Sequence, residues 1–341
     1  MANQILEGWD TYATGDASSA LAGSTWLLSA SGTSGPAITN AEYANGTRSL
    51  LTGTAVPKYV YKAIADNNIY CFGYRARIGT FGISGYLSGV GLSGATATLS
   101  LSFNENALPV LVRGTTIIWT GPNPVANNTW QYIDCIYNRT AGTCDIFLNG
   151  NFITQVTGVV SIGAIQQARV GGVSSQTGSN RHANFYIDDI YFNSGNERWG
   201  DIGAVLLMPN ADLGGNTWSV VGTASGFQVL DNVPFNPAQY LEAVNVGDIS
   251  AFNIPETPLG TFQVFSVQHR YVAQKSSAGV SDMRGFLQIN AASYAGSTVS
   301  LVQGTYTTYQ DEYLVNPATG LPWVPADFIG GNVALGYERI A

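Results

Sequence analysis

Charge is scarce in this chain of 341 residues, where Asp, Glu, Lys and Arg together make up 11%. The 14 Lys and Arg stand singly and the net charge is −8. No clustered basic stripe exists to neutralise a phosphate backbone, so a nucleic-acid partner is excluded. No run of 18 apolar residues occurs, which removes a membrane-spanning helix and with it membrane insertion. Two histidines and three cysteines are too few, and too widely spaced, for a tetrahedral zinc set. His182 follows the polar stretch Gly178-Ser-Asn-Arg and reads as a loop residue, while His269 lies mid-strand; neither has the Gly-Xaa-Ser-Xaa-Gly context of a nucleophile elbow. No glycine-rich loop leads into a helix, so a phosphate cradle is missing too. The N-terminus has neither the basic start nor the apolar segment of a secretory signal, and the chain is expected to be made in a cytosol. Helical periodicity is nearly absent; residues 236–244, with a proline in the first turn, form the best short candidate.

What the chain has is turn formers and β-formers. Forty Gly, with many Thr, Ser, Val and Tyr, suit short strands joined by tight turns, and the predicted fold class is all-β. The clearest pattern runs from Asn128 to Gly150. Trp130, Tyr132, Asp134 and Ile136 alternate along one strand; Asp145, Phe147 and Asn149 alternate along the next. Asn149-Gly150 supplies the positive φ of a two-residue turn. Cys135 and Cys144 fall on the facing strands of this hairpin. A two-residue turn at Arg139-Thr140 sets them opposite each other, whereas a four-residue turn slips them out of register. A reduced pair is the expected state in a cytosolic product, and Cys71, in an apolar strand, reads as a small buried hydrophobe. A cluster of Gly, Asn and Ser near residues 194–201 divides the chain into a first domain, 1–195, and a smaller antiparallel β-domain, 200–341.

The 128–150 hairpin resembles the central hairpin of concanavalin A-like, laminin G-like jelly rolls. Residues 168–172 resemble that family's next strand, and residues 183–192, with Ile187-Asp-Asp-Ile190, its last. Residues 7–12 resemble the opening strand that pairs with the last one. The remainder of the chain resembles tailed-bacteriophage structural proteins through Gly200-Asp201, Leu207-Met-Pro-Asn210, Trp218 and the segment 316–323 around Asn316-Pro-Ala-Thr-Gly320. These resemblances imply a jelly-roll β-sandwich followed by a docking domain in a virion protein, as a head decoration or tail-fibre component. Its implied partners are other virion proteins and its own copies, with a host-surface glycan as the attachment target. A free carbohydrate-binding lectin-like module is the alternative, and a glycan depolymerase a lesser one.

Chemistry is expected to be absent. The glucanases on this fold need two carboxylates on one strand face. Here Glu105 stands alone, Asp134 and Asp145 have no acidic partner at i+2, and Asp311 and Glu312 point to opposite faces. No cofactor is implied beyond a structural Ca²⁺, which jelly rolls of this kind hold at the seam of first and last strands. Asp10 with Asp188 or Asp189 are the matching carboxylates, and strand alternation allows only one of the pair to point at the seam. Among the aromatic residues, Tyr306, Tyr309, Tyr313 and Trp323 form the candidate interface.

Overall fold

In the computed structural model the chain is described at residues 4–7, 9, 15–16, 26–28, 36–39, 49–52, 59–79, 81–85, 87–104, 106–172, 178–182, 185–195, 197–200, 205–231, 236–256 and 263–341. It divides into two compact units, Met1–Leu206 and Leu207–Ala341. The fold is all-β: a two-sheet, jelly-roll-type β-sandwich followed by a smaller antiparallel β-domain.

In the first unit, two antiparallel sheets of nine and seven strands face each other among the described residues. The Asn149-Gly150 turn forms as its chemistry requires, with φ of 48° and 82° between paired Leu148 and Asn151. The opening strand Gln4–Glu7 pairs with the last strand Phe185–Ser194, Glu7 lying opposite Ile190. The turn between Asn138 and Thr143 has four residues, so Cys144 faces Tyr137 and Cys135 faces Ile146. All three cysteines are free and buried. The core between the sheets gathers Phe72, Tyr74, Ile133, Phe185 and Phe192 from one sheet and Val90, Leu92, Leu101 and Phe103 from the other.

The three central strands of the nine-stranded sheet, Ile69–Ile78, Trp130–Asn138 and Phe185–Ser194, are buried on both faces. Apolar packing explains the inner face. On the outer face, a cross-strand row places Asp134 beside Gly73 and Gly73 beside Tyr191. A Cβ on Gly73 would lie 2.4 Å from Asp134 Cβ and 2.9 Å from the Tyr191 ring. Only glycine lets Tyr191 lean across the strand, where its hydroxyl donates to Asp134 Oδ2 at 3.1 Å. Arg198, from the segment that follows the last strand, closes the row. Its Nε and Nη2 donate to the two Asp134 oxygens, its guanidinium lies 4.1 Å above the Phe147 ring, and Trp199 stacks on Tyr191. Burial alone would lower the Arg198 pKa, but its hydrogen bonds to Asp134 raise it.

The second unit pairs a five-stranded sheet with the two-stranded ribbon of Val267–Ala273 and Thr307–Tyr313. Ring contacts bring the two together, with His269 and Tyr271 on the ribbon 5.2 and 5.4 Å from Tyr337 of the sheet. The helix expected over 236–244 is absent: 236–239 turn, and Tyr240–Glu242 pairs with Ser219–Val221. The local reason is that Asn236 caps a turn, accepting the Ala238 N–H on its side chain, before strand pairing takes over. A single helical turn forms at Phe227–Leu230 instead, where Asp212 accepts the Gly226 and Phe227 N–H groups. Gly178–His182 is a strand paired with Phe81–Gly85, not the loop its polar composition suggests.

Gly73→Ala is expected to destabilise the first unit by about 1–3 kcal/mol, the usual cost of overpacking. Urea denaturation read through the tryptophans measures it. An unchanged midpoint would show that Tyr191 does not depend on the gap.

Candidate functional site

On the seven-stranded sheet the face away from the core is open only at one side, along the strands Tyr59–Ala63 and Ile165–Gly172, and Ser100, Val110 and Val112 on the same face are buried. Alternation places Val60, Ala168 and Val170 in the core and leaves Tyr59, Tyr61 and Arg169 pointing away from it. Register then builds a row: exposed Leu27 is paired with Tyr61, Tyr61 with Arg169, Arg169 with Gly91, and Gly91 with Ser100. The Arg169 guanidinium carbon lies 4.4 Å above the Tyr59 ring, and Tyr59 meets Tyr61 edge-on at 6.0 Å. Arg169 Nε and Nη2 donate to Gln167 Oε1 at 3.1 and 3.0 Å. Burial holds the guanidinium below the ordinary arginine pKa, partly opposed by the two tyrosines. Gly91 keeps the floor flat, since a Cβ there would come 2.5 Å from the Leu99 carbonyl oxygen. At the end of the row, the Ser100 hydroxyl is buried without a hydrogen-bond partner. The arrangement offers the Tyr61 ring, an apolar rim and an arginine seated on Tyr59, all on a rigid strand scaffold. These are the elements that stack on a sugar ring while bonding its polar groups.

None of these residues stood out in the sequence as a site. Arg169 was visible as a charge between Ala168 and Val170 of a matched strand, and Tyr59 and Tyr61 as an alternating pair. What links them is cross-strand register over segments more than 100 residues apart.

The carboxylates go elsewhere. Asp134 is fully buried against Arg198, and Asp145 accepts from Gln155 Nε2 at 2.8 Å. Glu105 and Asp10 lie outside the described residues. Asp188 and Asp189 are both fully buried, and the simple alternation breaks at this pair. The reason is a bulge after Asp188, where Asp189 takes a left-handed φ of 46°. The Asp189 N–H donates to Asp188 Oδ1, and Asp189 Oδ2 sits 3.2 Å from Arg75 Nε. Arg75 supplies to Asp189 the positive charge that a cation would supply. No group of three His, Cys, Asp or Glu side chains is placed to hold a metal among the described residues.

The four candidate interface aromatics are placed as packing residues where the structure defines their contacts. Trp323 is buried, donates Nε1–H to the Tyr313 carbonyl at 2.8 Å and packs against Phe328. Tyr309 stacks on Tyr271, and its hydroxyl donates to the Ser300 carbonyl. The Tyr313 hydroxyl reaches the Tyr294 carbonyl at 3.5 Å. Tyr306 precedes the strand and is half-buried.

One buried polar pair went unnoticed in the sequence. His269 and Asp311 face each other across the second unit's ribbon. Neither ring nitrogen of His269 has a hydrogen-bond partner. Asp311 fits against Gly296, where a Cβ would lie 2.2 Å from its Oδ2, and Oδ1 accepts the Ser297 N–H at 2.7 Å. Gly296 and Ser297 are the two residues that bulge opposite Gly285, so Asp311 caps the bulge.

No family model matches the chain, and no curated protein matches it. Among solved structures it is similar to the cellulose-induced protein Cip1, at 15% identity and a TM-score of 0.40, over 56% of this chain and 100% of that one. It is also similar to domain 4 of the GH43 extracellular arabinanase AbnA from Geobacillus stearothermophilus, in complex with arabinotriose. That match has 13% identity and a TM-score of 0.36, over 50% of this chain and 82% of that one. A third is the heptameric SAP-like pentraxin from Limulus polyphemus, at 10% identity and a TM-score of 0.30, over 39% of this chain and 67% of that one. Likeness at this level carries no argument about activity.

Burial lowers the His269 pKa from 6.5 to about 4. The unfolded chain therefore binds a proton near pH 6.5 that the folded one refuses until about pH 4. The stability present above pH 6.5 is lost through that window, by at most about 3 kcal/mol. Asp311, raised by burial, takes up its proton more readily when folded and offsets part of the loss. Tyr271 and Tyr337, whose rings lie against His269, are pushed up by burial and stay neutral in this range. His269→Leu is expected to flatten the pH dependence of the second unit's unfolding between pH 6.5 and 4. A slope equal to that of the parent protein would refute the assignment.

Proposed function

We propose that the protein is a non-enzymatic, lectin-like binding module whose jelly roll engages carbohydrate on the outer face of its seven-stranded sheet. The observation that carries this reading is the row of Leu27, Tyr61 and Arg169, with Tyr59 beneath the guanidinium. Aromatic faces take the apolar side of a pyranose, and fixed polar groups orient its hydroxyls. Rigid strands hold these side chains in place, which limits the entropy lost on binding. Asp134, Asp188 and Asp189 are committed to buried contacts within the fold, which supports a binding role over hydrolysis.

A glycan array probed with the full chain tests it, followed by titration of the ligands it selects. Tyr61→Ala is expected to weaken binding about tenfold, in line with losing one aromatic contact. Binding that is unaffected by Tyr61→Ala would place the sugar elsewhere, and an array without hits would remove the reading.

Display of this module on a virion is the second reading, supported by the phage-like sequence motifs and by one feature of the second unit. That unit exposes Val280, Val302, Leu321, Val324 and Ile329, and its edge strand Ala292–Ser300 carries no charge and no proline. Uncharged edges and exposed apolar side chains are what a neighbouring subunit covers. Size-exclusion chromatography with light scattering is expected to find a discrete symmetric oligomer. A monomer at high concentration would count against this docking role.

A further inference from the structure

We propose that the ligand taken at this face is an acidic saccharide whose carboxylate is held by Arg169. The proposal deepens the carbohydrate reading and rests on it.

Four of the other guanidiniums, Arg75, Arg139, Arg198 and Arg284, are each paired with a carboxylate (Asp189, Asp66, Asp134 and Glu338), while Arg113 spends its donors on the Val160 and Ser161 carbonyls and Arg339 on those of Ala243 and Val244. Arg169 has no carboxylate partner among the described residues, in a protein whose net charge is −8. Two of its five N–H groups go to one neutral acceptor, Gln167 Oε1, and its flat side rests on Tyr59. The remaining donors are unspent, on a group half withdrawn from water.

A half-buried guanidinium without a counter-ion is unfavourable, and burial already pulls its pKa down. A ligand carboxylate would remove that penalty while gaining charge-assisted hydrogen bonds in the planar geometry that arginine matches. Gln167 and Tyr59 hold the fork in place beforehand, so little side-chain entropy remains to be lost. The neighbours fix the rest of the ligand. Tyr61 with exposed Leu27 provides an apolar surface for a ring beside the guanidinium. A carboxylate joined to a pyranose, as in a uronic or nonulosonic acid, combines the two features. A neutral sugar would use the tyrosines and leave the charge unmatched.

Calorimetric titration of the full chain decides this, with uronic acid- and sialic acid-containing oligosaccharides set against neutral oligosaccharides of equal size. The expected result is at least tenfold tighter binding of one acidic series, with an affinity that falls as salt rises. Arg169→Gln should erase the preference and keep the weaker binding of neutral sugars. Arg169→Lys, which retains the charge without the fork, should keep only a small part of it. Thermal unfolding of both variants checks that the sheet is intact. An acidic preference that survives in Arg169→Gln would overturn the proposal, as would equal affinity for acidic and neutral sugars. Neutral sugars binding alone would refute the acidic ligand and leave the carbohydrate reading standing. No binding of any sugar would remove both.

Discussion

The buried carboxylate of Asp134 constrains the first unit more than any other group. It sits on the outer face of a sheet whose inner face already packs the core. A lone charge there would cost several kcal/mol, and pairing must bring its partner from beyond the sheet. Arg198 is that partner, and reaching Asp134 draws the segment after the last strand back over the central strands. The Cys71 thiol meets the Gly195 carbonyl, Asn193 meets the Glu197 carbonyl, and Trp199 covers Tyr191. One ionic contact therefore orders a short strap that conceals the face. Gly73 is the steric counterpart, because the row closes only if Tyr191 can pass over that position.

The two sheets thus divide their roles. On the nine-stranded sheet the strap covers the outer face around Asp134 and Tyr191, and the charge of Asp134 is consumed internally. On the seven-stranded sheet, the strands Tyr59–Ala63 and Ile165–Gly172 keep half-exposed Tyr59, Tyr61 and Arg169 on the outer surface. A polar group satisfied within the fold contributes stability and is closed to ligands. One that is fixed in position but unmatched in charge is prepared for them. Asp134 is the first kind and Arg169 the second, although both are charged residues at outward positions of central strands.

Much of this architecture was legible in the sequence. Period-two alternation and the Asn149-Gly150 turn depend on near neighbours or on patterns that repeat along the strand, whereas the strand that pairs with the last one runs over Gln4–Glu7, ahead of the expected 7–12, of which 8 and 10–12 lie outside the described residues. The failures have a common cause. Asp188 and Asp189 defied alternation because a left-handed Asp189 makes a bulge, and no local pattern announces a bulge in an Asp-Asp pair. The segment 236–244 has helix-compatible composition, but an Asn-capped turn and strand pairing overrode it. The Arg169 row needed register across several strands, which a single sequence does not contain.

The second unit solves the bulge problem differently. Its sheet is interrupted where Gly296 and Ser297 oppose Gly285, and the missing side chains leave a recess in the inner surface. Asp311 fills one side of the recess and takes the free Ser297 N–H, while the His269 and Tyr271 rings lie on Gly285. An apolar side chain at 311 would fill the space but leave that N–H unpaired, at a cost of about 1–3 kcal/mol. A carboxylate satisfies the amide, and burial in turn favours its neutral form. The polar character of this small core follows from the bulge, and the placement of His269 and Asp311 requires no catalytic role.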